Sequence, residues 1–305
     1  MPSTQYGNFA DFCRDTGNLR STLPVCNLFV ESKARGGTGW TDGCDLTGIS
    51  YGNNKNLANL GSIILCGIAI IAAGFLLWRS ERKRAAVGRR EMQLFLIGYI
   101  VVSICEIFTV GGFELDGAVR VAFSAVHIAA IVATLWILML NGLVGYQLLD
   151  DGTPVSLGLV LASAAMLFIG TGYIALDVGF GWTNFFKNQA SDPDRSYALY
   201  TLYQLAPLVF LFVFFCLETF LVIRILGERK PMLYLLGAVL LFALGQIFQY
   251  VVSVHICHGT DGKINGGLFE TLFTLLSVVL IWVFWSSITE DDWPMPTVAG
   301  SGAYQ

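Results

Sequence analysis

Seven stretches of the chain run apolar for about twenty residues or more, and the positions between them are polar, glycine-rich or charged. They are Leu57–Trp78, Met92–Gly112, Val121–Leu148, Val155–Leu176, Tyr197–Ile223, Met232–His255 and Gly267–Ile288. None carries the continuous polar face that a helix on a water-soluble domain presents to solvent. At about 1.5 Å of rise per residue, each is long enough to cross a hydrocarbon core of roughly 30 Å. The pattern predicts an all-α integral membrane protein, a seven-transmembrane-helix bundle. Residues 1–56 form a polar tail, 57–288 the membrane domain, and 289–305 a second tail that is acidic at first and then Pro/Gly-rich and flexible. No apolar core follows Met1, so no cleavable signal peptide is expected and the first span must itself insert.

Charge sets an orientation on this frame. Between the first two spans lies Arg79-Ser-Glu-Arg-Lys-Arg-Ala-Ala-Val-Gly-Arg-Arg90, a short loop crowded with Lys and Arg. Cationic side chains in short loops are retained on the cytoplasmic side, whereas long polar tails translocate largely regardless of charge. The loop is therefore expected in the cytosol, with the N-terminus lumenal and the C-terminus cytosolic. Arg224, Arg229 and Lys230, between spans five and six, fall on the same side. The largest internal loop, Asp177–Ser196, is polar and too short for a separate catalytic domain.

Composition narrows the class further. With 55% hydrophobic and 13% charged residues and a net charge of −4, the chain lacks the basic surface that nucleic acid would require. Cys13, Cys26, Cys44 and Cys257 map to the lumenal side, where an oxidising compartment permits disulfides, while Cys66, Cys105 and Cys216 fall within spans. The four lumenal cysteines allow three connectivities, and spacing does not choose among them. No Asn-x-Ser/Thr sequon occurs in the chain.

Polar side chains inside spans are the candidate functional groups, because a bilayer tolerates them only when they are partnered or used. Here they are Glu106, His127, Glu218, Gln246, Gln249 and Glu270. On span six, Gln246, Gln249 and Ser253 share one face that Cys257 continues. Such a surface can hydrogen-bond a partner helix, or it can simply hold the bundle together. Span three carries Ala125, Ala129 and Ala133, a small-residue ridge for close helix approach, with His127 roughly opposite, which suggests a central helix.

Reaction chemistry is poorly supported. His127, His255 and His258 are the only histidines; the last two sit at the end of span six, where the helix is expected to break, so a metal hydrolase lacks a convincing ligand set. No lysine lies within a span, which excludes a retinal Schiff base. A seven-span receptor or transporter-like protein remains the alternative, although span three ends Asn141-Gly-Leu-Val-Gly-Tyr-Gln147 without an acidic-Arg-aromatic triplet. No cofactor, metal or catalytic residue is expected.

Several stretches carry a more specific likeness. Tyr6-Gly-Asn-Phe9 with Cys13, Leu23-Pro-Val-Cys26, Asn56-Leu-Ala-Asn59, Ala86-Val-Gly-Arg-Arg-Glu91, Asn141 to Thr153, Gly245-Gln-Ile-Phe-Gln-Tyr250, Cys257 and Phe284-Trp-Ser-Ser-Ile-Thr289 follow one another in an order that resembles the fungal chitin synthase export chaperones. The resemblance runs through nearly the whole chain. It implies a non-enzymatic protein of the endoplasmic reticulum membrane that binds a multi-spanning chitin synthase, prevents its aggregation and permits its export, in support of cell-wall chitin synthesis. Gln246, Gln249, Glu106, Glu218 and His127 are then candidates for client contact or for the bundle's own polar joints. Past span seven, Glu290-Asp291-Asp292 fits the acidic-x-acidic signals read by vesicle coat proteins, which makes those coats candidate partners.

Overall fold

The computed structural model describes residues 6–9, 12–13, 23–29, 46–50, 56–57, 59–83, 86–111, 115–147, 152–187 and 195–289. Among these, seven helices are long and apolar enough to cross a membrane: α1 Leu60–Arg82, α2 Arg89–Thr109, α3 Gly117–Val144, α4 Pro154–Phe180, α5 Tyr197–Leu226, α6 Lys230–Gly259 and α7 Gly266–Ile288. A two-residue antiparallel ladder, β1 Ile49–Ser50 with β2 Asn56–Leu57, precedes them. A 3-10 turn spans Pro24–Phe29.

The helix ends depart from the apolar runs for local reasons. Leu57 belongs to β2, and α1 starts only after Asn59, whose side chain accepts a hydrogen bond from the Ser62 N–H at 3.3 Å. At its other end α1 runs through Arg79 to Arg82, because hydropathy reports the lipid-embedded length whereas the backbone needs a cap to stop. Thr153 caps α4 by accepting from the Ser156 N–H at 3.2 Å, with Pro154 in the first turn. Asp177, read above as loop, is the last-turn organiser of α4. Its Oδ1 accepts from the Thr183 N–H at 2.6 Å and from the Thr183 hydroxyl at 2.9 Å, folding the following turn back onto the helix end.

Two spans are not uniform α-helices. In α5 the backbone is π-helical over Thr201–Leu205 and Leu221–Leu226, and in α6 over Phe248–Val252. The expected break near His255 does not occur: after the π-helical turn, α6 resumes and carries both His255 and His258 to Gly259. Apolar content cannot distinguish these backbones, since a π turn changes the phase of side chains and not their chemistry.

Helix α3 is the central element, packed against α2, α4 and α5, while α7 lies between α6 and α1. The small-residue ridge of α3 does allow close approach: a Cβ placed on Gly172 of α4 would stand 3.6 Å from the Ala129 Cβ. On the α2 side, Gly98 gives the same room to Thr134. One apolar cluster, including Phe95, Leu138, Phe214, Leu235 and Trp282, fills the end of the bundle near the basic loop. A second, built from tail residues with Ala125, Ile128, Ala175, Val178 and Leu199, fills the opposite end.

Candidate functional site

The opposite end is covered by the described residues of the N-terminal tail, whose packing is far more apolar than the tail's overall composition suggests. Phe9, Cys13, Val25, Cys26, Leu28 and Phe29 are almost completely buried. Cys13 and Cys26 are joined by a disulfide with their Cα atoms 5.6 Å apart, which clips the Phe9–Cys13 turn to the Pro24–Phe29 turn. Asn27 donates from Nδ2 to Ser124 Oγ at 3.0 Å and so ties the lid to α3. Tyr6 and Phe12 reach the other way. The Tyr6 ring meets Tyr200 edge-on at 4.8 Å, and its hydroxyl lies 2.6 Å from Thr201 Oγ1 on the first π-helical turn. Phe12 packs edge-on against Tyr250, on the π-helical turn of α6, at 5.5 Å. Gly7, at φ +88°, is needed here because a Cβ would press on the Tyr197 ring at 2.9 Å. Sequence reading missed this lid. The available signal was the spacing of Tyr6, Phe9 and Phe12 in an otherwise polar tail.

Below the lid, polar groups from five helices fall into two hydrogen-bonded sets along one line. Tyr250 donates its hydroxyl to Gln204 Oε1 at 3.4 Å and also hydrogen-bonds Tyr203. One turn earlier on α6, Gln246 hydrogen-bonds Glu270 of α7, which also accepts from the Thr274 hydroxyl at 2.9 Å. The neighbouring Thr271 hydroxyl donates to Glu106 of α2 at 2.5 Å, and Glu106 in turn takes the thiol of Cys66 from α1. The π-helical turns bring Tyr203, Gln204 and Tyr250 onto this line. The Thr271 and Thr274 hydroxyls and the Gln246 amide offset the cost of carboxyls placed among apolar helices. Two carboxyls, Glu106 and Glu270, thus lie near one another on this line, each half-buried.

The remaining candidates lie elsewhere. His127 is 3% exposed, with Nδ1 2.9 Å from Thr109 Oγ1, so it joins α3 to the end of α2. Glu218 is buried on α5 opposite Gly142; its Oε1 lies 3.6 Å from where a Cβ at that glycine would stand. Gln249 is also buried. Ser253 accepts from the Gly266 N–H at 3.1 Å, so this part of the expected face of α6 is spent on the joint with α7. Cys257 is disulfide-bonded, whereas Cys44 and Glu290, Asp291 and Asp292 lie outside the described residues. Among the described residues, no three His, Cys, Asp or Glu side chains converge as a metal set.

The end with the basic loop contains a joint that sequence reading also missed. Glu91 is fully buried in the first turn of α2, where Oε1 accepts from the Ser156 hydroxyl at 3.3 Å and the Gly152 N–H at 3.4 Å. Trp285 donates from Nε1 to the Val87 carbonyl at 2.9 Å, and Trp282 to Ser80 Oγ at 2.7 Å. Gly88, at φ +67°, leaves room for Asn141, whose Oδ1 would stand 3.1 Å from a Cβ there. Ala86–Glu91, the stretch beginning at Asn141, and Phe284–Thr289 are far apart in the chain, yet they meet at this joint.

These meeting stretches are among those that carried the family likeness. The sequence model described as "Chitin synthase export chaperone" matches residues 5–299. The chain belongs to the chitin synthase export chaperone family. The Coccidioides immitis chitin synthase export chaperone is 29% identical over 295 residues, covering 94% of this chain and 83% of that protein. The Aspergillus fumigatus relative is 28% identical over 296 residues, covering 94% and 84%. The Cryptococcus neoformans relative is 28% identical over 297 residues, covering 94% and 76%. No solved structure matches the chain. The family is one of chaperones rather than enzymes, which agrees with the reading of the sequence and displaces the receptor or transporter-like alternative.

Proposed function

We propose that this protein binds a multi-spanning chitin synthase in the endoplasmic reticulum membrane, keeps it from aggregating and accompanies it into export. The observation that carries this is the family match over residues 5–299. The physical role is to satisfy polar groups on client spans that lipid cannot satisfy before the client has folded. The line through Gln246, Glu270 and Glu106 is only partly buried and so suits that task better than Gln249, Glu218 or His127, which are buried. The acidic residues Glu290, Asp291 and Asp292 would offer vesicle coats a cytosolic signal. Deleting the gene in the source fungus should strand a fluorescently tagged chitin synthase inside the cell. Restoring the chain should return the synthase to the surface, and restoring it with E290Q/D291N/D292N should return it more slowly. A synthase that reaches the surface normally without the protein would overturn the chaperone reading.

The same proposal places the Arg79–Arg90 loop in the cytosol and the disulfide-clipped lid in the lumen. A glycosylation sequon engineered near Asn18 is then expected to be modified and one near Gly300 to stay unmodified, read as a glycosidase-sensitive gel shift. The opposite pattern would invert the map.

A further inference from the structure

The basic loop is not a uniform cloud of charge. Lys83 turns inward and donates to the Ser286 carbonyl at 3.2 Å. Arg89 and Arg90 both face Glu81, at 3.9 Å and 3.5 Å, and Arg90 also donates to Gln93 at 3.1 Å. These three cations hold the helix ends together. Arg79 and Arg82 do something else. Both are exposed, and neither makes a hydrogen bond or ion pair among the described residues. Among the described residues, the nearby acid Glu81 is already engaged by Arg89 and Arg90.

The position of this pair on α1 is specific. Ile68, Ile71, Phe75, Trp78, Arg79 and Arg82 follow a spacing of three and four residues, so they form one stripe along the helix. All are exposed, Ile71 at 74% and Phe75 at 55%. The stripe runs from purely aliphatic side chains, through an aromatic pair with ring centroids 5.8 Å apart, to two arginines. The Arg82 guanidinium lies over the Trp78 ring, 3.7 Å from its centroid. Stacking holds one face of that guanidinium and leaves its N–H edge open. A planar guanidinium with open donors matches phosphate oxygens in pairs, and an indole favours the boundary between headgroups and acyl chains.

We propose that this stripe is a binding site for an anionic phospholipid of the leaflet at the basic end. Its phosphate is held between Arg79 and Arg82, its glycerol region lies beside Trp78, and an acyl chain follows Phe75, Ile71 and Ile68. Charge complementarity selects this occupant: a neutral helix of a partner protein would leave two unpaired guanidinium groups at the membrane surface. The proposal does not depend on the client or on which leaflet this end occupies.

The test uses the full-length protein purified in a mild detergent. It is incubated with phosphatidylserine, phosphatidylinositol 4-phosphate or phosphatidylcholine, and native mass spectrometry counts the retained lipid. Wild type should retain either anionic lipid and not phosphatidylcholine. R79Q/R82Q should lower retention of anionic lipid at least about fivefold, and W78L should lower it with every charge in place. R224Q/R229Q removes the same charge from exposed positions at the same end and should leave retention unchanged. R79K/R82K should fall between wild type and R79Q/R82Q. Equal losses in R79Q/R82Q and R224Q/R229Q would reduce the site to general surface charge and overturn the proposal. Unchanged lipid with lost co-purification of the synthase in R79Q/R82Q would overturn it too, marking the stripe as a protein-docking face. If R79Q/R82Q aggregates, unchanged retention in a folded W78L protein is sufficient to reject the site.

Discussion

Valine at position 266 is expected to destabilise the protein by about 3 kcal/mol or more, the upper range for overpacking. Gly266 opens α7 where it crosses the π-helical turn of α6. A Cβ there would run into the Phe248 carbonyl oxygen and stand 2.7 Å from the Ser253 Cβ. Backbone atoms cannot rotate away as a side-chain tip can. The helices would have to separate, and the Gly266 N–H bond to Ser253 would be lost with them. Thermal unfolding of the detergent-solubilised protein, followed by tryptophan fluorescence, should report a markedly lower midpoint for G266V. Valine at Gly67, where an added Cβ meets nothing within 4 Å, should cost far less. Equal midpoints for the two variants would show that α6 and α7 do not need this close crossing.

The second large effect is expected from C13S/C26S. The Cys13–Cys26 bridge spans a sequence separation of 13, and a loop of that length contributes on the order of 3 kcal/mol by restricting the unfolded chain. Its loss should also free Phe9 and Phe12 from the aromatic surface of Tyr200 and Tyr250. The midpoint should fall, and backbone amides around Phe9–Cys13 and Pro24–Phe29 should exchange faster than those of α3. Non-reducing peptide mapping of the parent protein is expected to return Cys13 with Cys26 and Cys44 with Cys257. The second pairing has local support. The Thr47 N–H donates to the Gly262 carbonyl at 2.9 Å, and the Gly262 N–H donates to the Cys257 carbonyl at 2.9 Å. An unchanged midpoint in C13S/C26S would mean that packing alone holds the lid.

How far the sequence could be read differs from place to place. The small-residue ridge of α3 was visible because Ala125, Ala129 and Ala133 repeat every four residues, and helix periodicity is a local property. The polar line was visible only as separate residues. Glu106 and Glu270 both stood out in apolar runs, but nothing in their spacing pairs Thr271 with Glu106 or Gln246 with Glu270. Glu91 escaped notice because an acidic residue in the first turn of a helix is ordinary. Its burial comes from α4, which starts more than sixty positions later and closes over it through Ser156.

By itself the sequence determined that the chain is a bundle of seven membrane-length helices, since that follows from the lengths and spacing of apolar runs, and chemistry alone confines such runs to a hydrocarbon interior. It also carried the order of short motifs by which the family is recognised. Tertiary structure decided where those motifs meet, which described cations of the basic loop are spent on helix ends and which face outward, and that the described residues of the tail form a lid. Those outcomes depend on side-chain pairs that are remote in the chain. They depend as well on the π-helical turns of α5 and α6, whose change of phase no count of apolar residues records.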